Sequence, residues 1–217
     1  MRSRIDRPYD SVWIPENPDA KRVVIRAGGA LEERPGAWDT LRLYVKQLRT
    51  RGREVLLVHT EVNERAAAII GRETGAEAIV LAEAVCARDP DWTCESLANQ
   101  VGADALEFAT DVHGVYTEAG IAGTLGMRKI RELIRQGTVR GGMVPKLHSA
   151  VTGVLDGVRE VRIGTPSSLR EEWATRILAR RHRSGARREP HAGIPLGTRS
   201  TPLAVREAEM PLRQNAA

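Results

Sequence analysis

Residues 102–116 read Gly-Ala-Asp-Ala-Leu-Glu-Phe-Ala-Thr-Asp-Val-His-Gly-Val-Tyr, and residues 137–146 read Gly-Thr-Val-Arg-Gly-Gly-Met-Val-Pro-Lys. In the first stretch, residues 105–110 are apolar but for Glu107 and Thr110, the pattern of a strand covered on both faces. The turn residues of 111–123 predict a loop with a hairpin. Between the two stretches Met127, Ile130, Leu133 and Ile134 repeat at helical spacing and stop at Gly137. Beyond the second, Leu147, Ala150, Val151, Val154 and Leu155 predict a helix over 145–157, closed by Gly157. A glycine pair ahead of a helix that carries a lysine in its first turn is a ready anion site.

The same alternation continues outward. Val23-Val-Ile25 runs into Gly28-Gly29, which reads as a short buried strand ending in a glycine turn. Trp38, Leu41, Val45 and Leu48 form one helical stripe, closed by Gly52. Residues 55–58 are a second strand. A helix over 62–74, with Val62, Ala66, Ile69 and Ile70 on one side, leads to a third strand at 78–81. A helix over 92–101 precedes the strand at 105. Val161–Ile163 is the last strand expected. Ser168-Leu-Arg-Glu171 has capping-box spacing, so Trp173 and Ile177 are assigned to a closing helix. Helices alternating with strands predict an α/β fold: a three-layer α/β/α sandwich around a mainly parallel sheet. In such sheets ligands sit at the carboxyl ends of the strands.

Composition narrows the function classes. The chain has 217 residues, 41% of them hydrophobic and 28% charged, enough for a core without staples. Its two cysteines, Cys86 and Cys94, exclude a disulfide scaffold and an all-cysteine zinc site within one chain. No apolar run approaches the roughly 18 residues of a membrane helix, so no membrane partner is expected. Met1–Asp10 lacks an apolar signal core, and a cytoplasmic location is expected. Lys and Arg number 33 against 28 acids, but only Lys21, Lys46, Lys129 and Lys146 are lysines. A lysine at a site that needs an ammonium therefore stands out. The net charge of +5 permits nucleic-acid binding, yet Phe, Trp and Tyr make up 4%, too few for base stacking. The arginines at 176, 180, 181, 183, 187 and 188 read first as a solvated helix end. Nucleic acid is not an expected partner.

From Gly102 to Gly157, in order, spacing and residue type, the chain resembles the nucleotide-binding half of the amino acid kinase family, and within it most resembles the N-acetylglutamate kinases. The resemblance extends to Val23–Gly29 and to Gly193-Ile-Pro-Leu-Gly-Thr198. It implies a shortened amino acid kinase-like domain over 21–201, with an ATP-binding half at 91–201. Around it lie a polar lead-in at 1–20 and a loose tail at 202–217. It implies ATP and Mg2+ as cofactors, with γ-phosphoryl transfer to a carboxylate of an amino-acid derivative. By resemblance, Lys146 and Arg26 would neutralise phosphate charge and Asp91 would orient them. The nucleotide would lie against Thr110, Asp111, Val112, Gly114, Val115 and Tyr116, with Gly28, Gly29, Gly141, Gly142 and Met143 lining its phosphates. No protein metal cluster is implied.

The chain departs from that pattern in three places. Arg26 stands where the family has a lysine, and a planar fork does not replace a point charge. His59-Thr-Glu-Val62 replaces a run of glycines. Only about sixteen residues separate Thr74 from Asp91, where the family has a long acceptor-binding region. A second reading follows: a non-catalytic member that binds nucleotide, or a partner subunit, in a homo-oligomer or a mixed oligomer with an intact kinase. Individual residues keep plainer readings beside these. Asp91 fits an N-cap for the helix at 92, Arg26 a surface strand end, Lys146 a solvated helix residue, and Asp111 a turn former. Glu107, central in its strand, calls for an uncovered sheet face or an arginine from a partner chain.

Overall fold

The computed structural model describes residues 21–60, 63–81 and 90–178. The lead-in at 1–20, Glu61, Val62, Cys86, the arginines from 180 onward, the 193–198 motif and the tail at 202–217 lie outside the described residues.

A seven-stranded sheet forms the middle layer. Its strands in chain order are β1 (Arg22–Ala27), β2 (Glu54–Thr60), β3 (Glu77–Leu81), β4 (Ala105–Ala109), β7 (Thr124–Leu125), β8 (Glu160–Gly164) and β9 (Thr175–Leu178). A separate hairpin pairs β5 (Tyr116–Thr117) with β6 (Gly120–Ile121), as the turn residues of that loop predict. The spatial order is β3-β2-β1-β4-β8-β9-β7. The first five are mutually parallel, and β9 runs antiparallel to β8. The helices are α1 (Ala37–Thr50), α2 (Glu64–Thr74), α3 (Pro90–Gln100), α4 (Met127–Arg135), α5 (Met143–Asp156) and α6 (Pro166–Arg170).

Alternation along β1 sorts the two faces. Val23, Ile25 and Ala27 pack with Leu41, Tyr44, Val45 and Leu48 of α1, Ile70 of α2 and Leu169 of α6. Val24 packs the other way, with Leu97 of α3, Leu147, Ala150 and Val154 of α5, and Ile130 and Leu133 of α4. Period two in the strands and a repeat of three to four in the helices thus meet in two apolar layers, one on each face. Burying strands on both faces accounts for their continuous apolar runs.

Three assignments are corrected. The helix expected behind Ser168 is absent; Thr165 is the N-cap instead, its side chain accepting from the Ser168 amide, with Pro166 at the first helical position. Helix α6 lasts five residues, the chain turns at Glu172 (φ 66°), and Ile177 lies in β9. The alternating burial of Thr175-Arg-Ile-Leu178 is the strand signal that the capping-box spacing masked. In α2 the buried positions are Ala67 and Ile70, while Ile69 is exposed. In α5 Leu155 is exposed as well.

Glu107 has its partner within the chain. Its neighbour in register on β8 is Arg162. Oε1 accepts from Arg162 Nη1 at 3.0 Å and from the Tyr44 hydroxyl at 2.8 Å. The sheet face is therefore covered, by α1, and no partner-chain arginine is required. Burial raises the Glu107 carboxyl above its ordinary range, with Arg162 pulling the other way. Burial also raises the Tyr44 phenol, and the Glu107 charge adds to it.

Candidate functional site at the carboxyl edge of the sheet

The chain passes from β1 out to β2 and β3, then returns through α3 to β4 on the other side of β1. The connections after β1 and after β4 therefore diverge between these two neighbours, which makes a topological switch point. Gly28–Gly29 leave β1 there and Thr110–Asp111 leave β4. Gly164 leaves β8 alongside, since the Thr110 amide donates to its carbonyl at 3.0 Å.

Arg26 shares the α3-facing side of β1 with Val24 and is 5% exposed. Helix α3 brings Asp91, in its first turn and also 5% exposed, to the same place. Helix α5 brings Lys146. The Lys146 ammonium donates to Asp91 Oδ2 at 3.0 Å, and Arg26 Nε lies 3.7 Å from Asp91 Oδ1. Arg26 Nη1 donates to the carbonyl of Ala27, and its Nε is buried without a hydrogen-bond partner. Among the described residues, one carboxylate thus sits between two cations. The amino end of the fourteen-residue α5 adds its dipole.

The plainer readings of these three residues fail on geometry. Asp91 is the second residue of α3, which starts at Pro90, so it does not cap a helix at 92. Arg26 is not a surface residue. The Lys146 side chain is 18% exposed and ion-paired, not a solvated tip.

The remaining candidates divide. Gly29 opens a short 3-10 turn, Gly29–Leu31, where the leading amides lack intrahelical acceptors. A Cβ on Gly29, Gly141 or Gly142 would meet nothing within 4 Å, so a ligand can approach the backbone closely. Gly141 holds φ +57°, a left-handed turn that sets up α5. Gly28 differs: its amide donates to Ala109 O at 3.1 Å, extending the β1–β4 ladder. Thr110 donates to Asp111 Oδ1 at 2.8 Å, and Asp111 is exposed. Val112 is half-buried and Tyr116 is exposed on the hairpin. Met143 is half-buried against the α3–α5 core.

Gly114 and Val115 are held by their surroundings. A Cβ on Gly114 would lie 2.6 Å from Thr175 Oγ1, and the Val115 amide donates to that same oxygen at 2.8 Å. The Val115 side chain is fully buried. Thr175, which also donates to Ala122 O at 2.6 Å, fastens both ends of the 115–122 loop to β9. The capping-box spacing of 168–171 points to a helix there and so hides it. It hides Thr165 too, whose hydroxyl lies 3.1 Å from His113 Nδ1. A Thr-Pro pair after a buried strand is the signal that finds it. His59 is buried, with Nδ1 2.9 Å from Thr60 O. Among the described residues no group of three or more His, Cys, Asp or Glu side chains is placed to hold a metal. Among them, too, no helix is long and apolar enough to cross a membrane.

These features have counterparts in known proteins. The sequence model of the amino acid kinase family matches residues 88–165. The chain is 36% identical over 74 residues to acetylglutamate kinase of Hydrogenobaculum sp. (strain Y04AAS1), a match covering 34% of this chain and 26% of that one. It is 38% identical over 73 residues to acetylglutamate kinase of Bacillus subtilis (strain 168), covering 34% of this chain and 28% of that one. The match thus spans under a third of the length of these relatives. Among solved structures, carbamate kinase from Giardia lamblia bound to AMP-PNP superposes with a TM-score of 0.57 at 13% identity, covering 75% of this chain and 99% of that one. N-acetylglutamate synthase from Neisseria gonorrhoeae gives 0.56 at 13% identity, covering 74% and 62%. Asp91, the exit of β4, Gly141–Gly142 and Lys146 all fall within the segment that matches the amino acid kinase family model, and the sheet and its helices have the fold of the amino acid kinase structures.

Proposed function

We infer that the carboxyl edge of β1, β4 and β8 binds MgATP and that the chain is a phosphotransferase with a carboxylate acceptor, resembling acetylglutamate kinase. The observation that carries the reading is the Arg26–Asp91–Lys146 array at the switch point. Phosphoryl transfer needs positioning and positive charge more than covalent help from the protein. Bound ATP would supply the γ-phosphoryl group. Lys146, with the amino end of α5, would hold its terminal oxygens. Gly29, Gly141 and Gly142 would let the backbone reach phosphate at hydrogen-bond distance. Arg26, buried against Asp91, would act through Asp91 by holding it aimed at Lys146. Asp111 would lie against the nucleotide beyond the exit of β4, with Val112 and Tyr116 beside it. Mg2+ would come on the phosphates with its waters, as it commonly does, because Asp91 already faces two cations.

A second reading has its own observation. Arg26 is buried with Nη1 bonded to the Ala27 carbonyl, and His59 is buried near the end of β2, where the resembled family has a lysine and a run of glycines. On this reading the chain binds nucleotide without turnover, alone or beside an intact subunit. Hydroxylamine trapping separates the two. Acyl-hydroxamate formed from MgATP and N-acetylglutamate, abolished in Lys146→Ala, supports transfer. MgATP binding with no hydroxamate from any of a panel of amino-acid carboxylates supports the non-catalytic reading. A cytoplasmic setting accords with either.

A further inference from the structure

The facing helices α3 and α5 enclose a second carboxyl that the site does not use. Glu95, one turn beyond Asp91, is 2% exposed. It lies against α5 so closely that a Cβ on Gly153 would meet Glu95 Cγ at 3.3 Å. Asn99 Nδ2 donates to its Oε1 and, at 3.3 Å, to its backbone carbonyl. The other end of that amide, Asn99 Oδ1, is buried without a donor. From α5, the charged group that acts on Glu95 is Asp156. A carboxyl buried in apolar packing, within the field of a second carboxylate and beside an acceptor that lacks a donor, is better suited by a proton than by a charge. Rotating the Asn99 amide end for end would let the neutral acid donate to Oδ1, in exchange for the bond from Nδ2 to the Glu95 carbonyl.

We propose that Glu95 is a proton-dependent latch between α3 and α5, and that its ionisation slackens the Asp91–Lys146 pair carried by the same two helices. With the proton on, α3 and α5 close as described here. With the proton off, a desolvated carboxylate lies buried between the two helices, and the interface admits water to reach it. Burial, with Asp156 adding to it, pushes the group up to about 7, so the change falls near neutral pH. The consequence for nucleotide rests on the reading above; the latch itself does not.

The test reads Lys146 directly. The chain has four lysines, of which Lys21, Lys46 and Lys129 are exposed. Acetylation by acetic anhydride, followed site by site by mass spectrometry, gives the ratio of the Lys146 rate to the Lys46 rate. The expected ratio rises severalfold between pH 6 and pH 8, stays flat in Glu95→Gln, and rises less in Asp156→Asn. The same rise in wild type and Glu95→Gln would overturn the proposal. Should Glu95→Gln fail to fold, carbon NMR of the wild-type Glu95 carboxyl decides. A midpoint near 7 supports the latch, and one in the ordinary carboxylate range sinks it. MgATP titration at the two pH values, run alongside, reports on the functional reading alone. Absence of binding at both would remove that reading and leave the labelling result standing.

Discussion

Asp91 carries the geometry of the site. Its two oxygens face two cations contributed by different elements, and it is almost wholly buried. Replacing it with Asn would leave Arg26 and Lys146 facing each other across a neutral amide. Breaking a buried pair in this way costs about 3 kcal/mol. Asp91→Asn is therefore expected to lower the urea midpoint measurably and to weaken anion binding as Lys146 loses its aim. Lys146→Ala behaves differently. The lysine is partly exposed, so its loss is expected to leave folding nearly unchanged while nucleotide affinity falls about tenfold or more, roughly 1.4 kcal/mol. Circular dichroism melts beside calorimetry distinguish the two cases. That Lys146 and Asp91 sit on neighbouring helices was legible in the sequence, Lys146 from its place after a glycine pair and Asp91 from the family resemblance. The burial of Arg26 was not. Rotamer and packing decide whether a guanidinium at a strand end points to solvent or folds onto its own carbonyl, and a strand pattern carries neither.

At the level of elements, β4 and β8 are joined by a buried ionic pair in register, Glu107 with Arg162, with Tyr44 of α1 as a third member. Arg162→Met would leave the carboxyl buried with only the phenol, and a loss of about 3 kcal/mol is expected. The double variant Glu107→Leu/Arg162→Met is expected to recover most of that loss, which chemical denaturation of the two variants checks through a mutant cycle. The complementary signs stood in the sequence, one acid central in 105–109 and one base central in 160–164. Only the strand order, which places β8 beside β4, says that they meet. Gly164 marks another close approach: a Cβ there would clash with Ser168 Oγ and lie 2.7 Å from the carbonyl of His113. Gly164→Ala is expected to destabilise by about 1–3 kcal/mol through overpacking, read as a lower melting temperature.

For the whole molecule, the strands and helices through residue 164, the two-residue β7 aside, were legible because a doubly covered sheet imposes continuous apolar runs, and glycine closes several of its helices. The end of the described chain was not. Two competing capping signals overlap at 165–171, and the one with Pro at its first helical position won, turning an expected helix into β9. Glu95 was also invisible: a glutamate on an ordinary helix gives no sign that Gly153 lets α5 come close enough to bury it. Its effect on the molecule has a definite sign. A carboxyl whose folded value, about 7, lies above its ordinary 4.5 keeps its proton in the folded state while the unfolded chain has released it. Stability from this group is therefore lost as pH rises between those values. The melting temperature of wild type, measured against Glu95→Gln, is expected to fall from pH 5 to pH 7.5, the reverse of the usual paired carboxylate.

The central claim is that the Arg26–Asp91–Lys146 array at the switch point of the sheet is a nucleotide phosphate site. Isothermal calorimetry of MgATP against wild type and Lys146→Ala tests it most directly. The account predicts saturable binding at one site per chain, weakened about tenfold or more in the variant while both proteins melt alike. A well-folded wild type that takes up no MgATP, or a Lys146→Ala variant that binds it equally well, would contradict the claim.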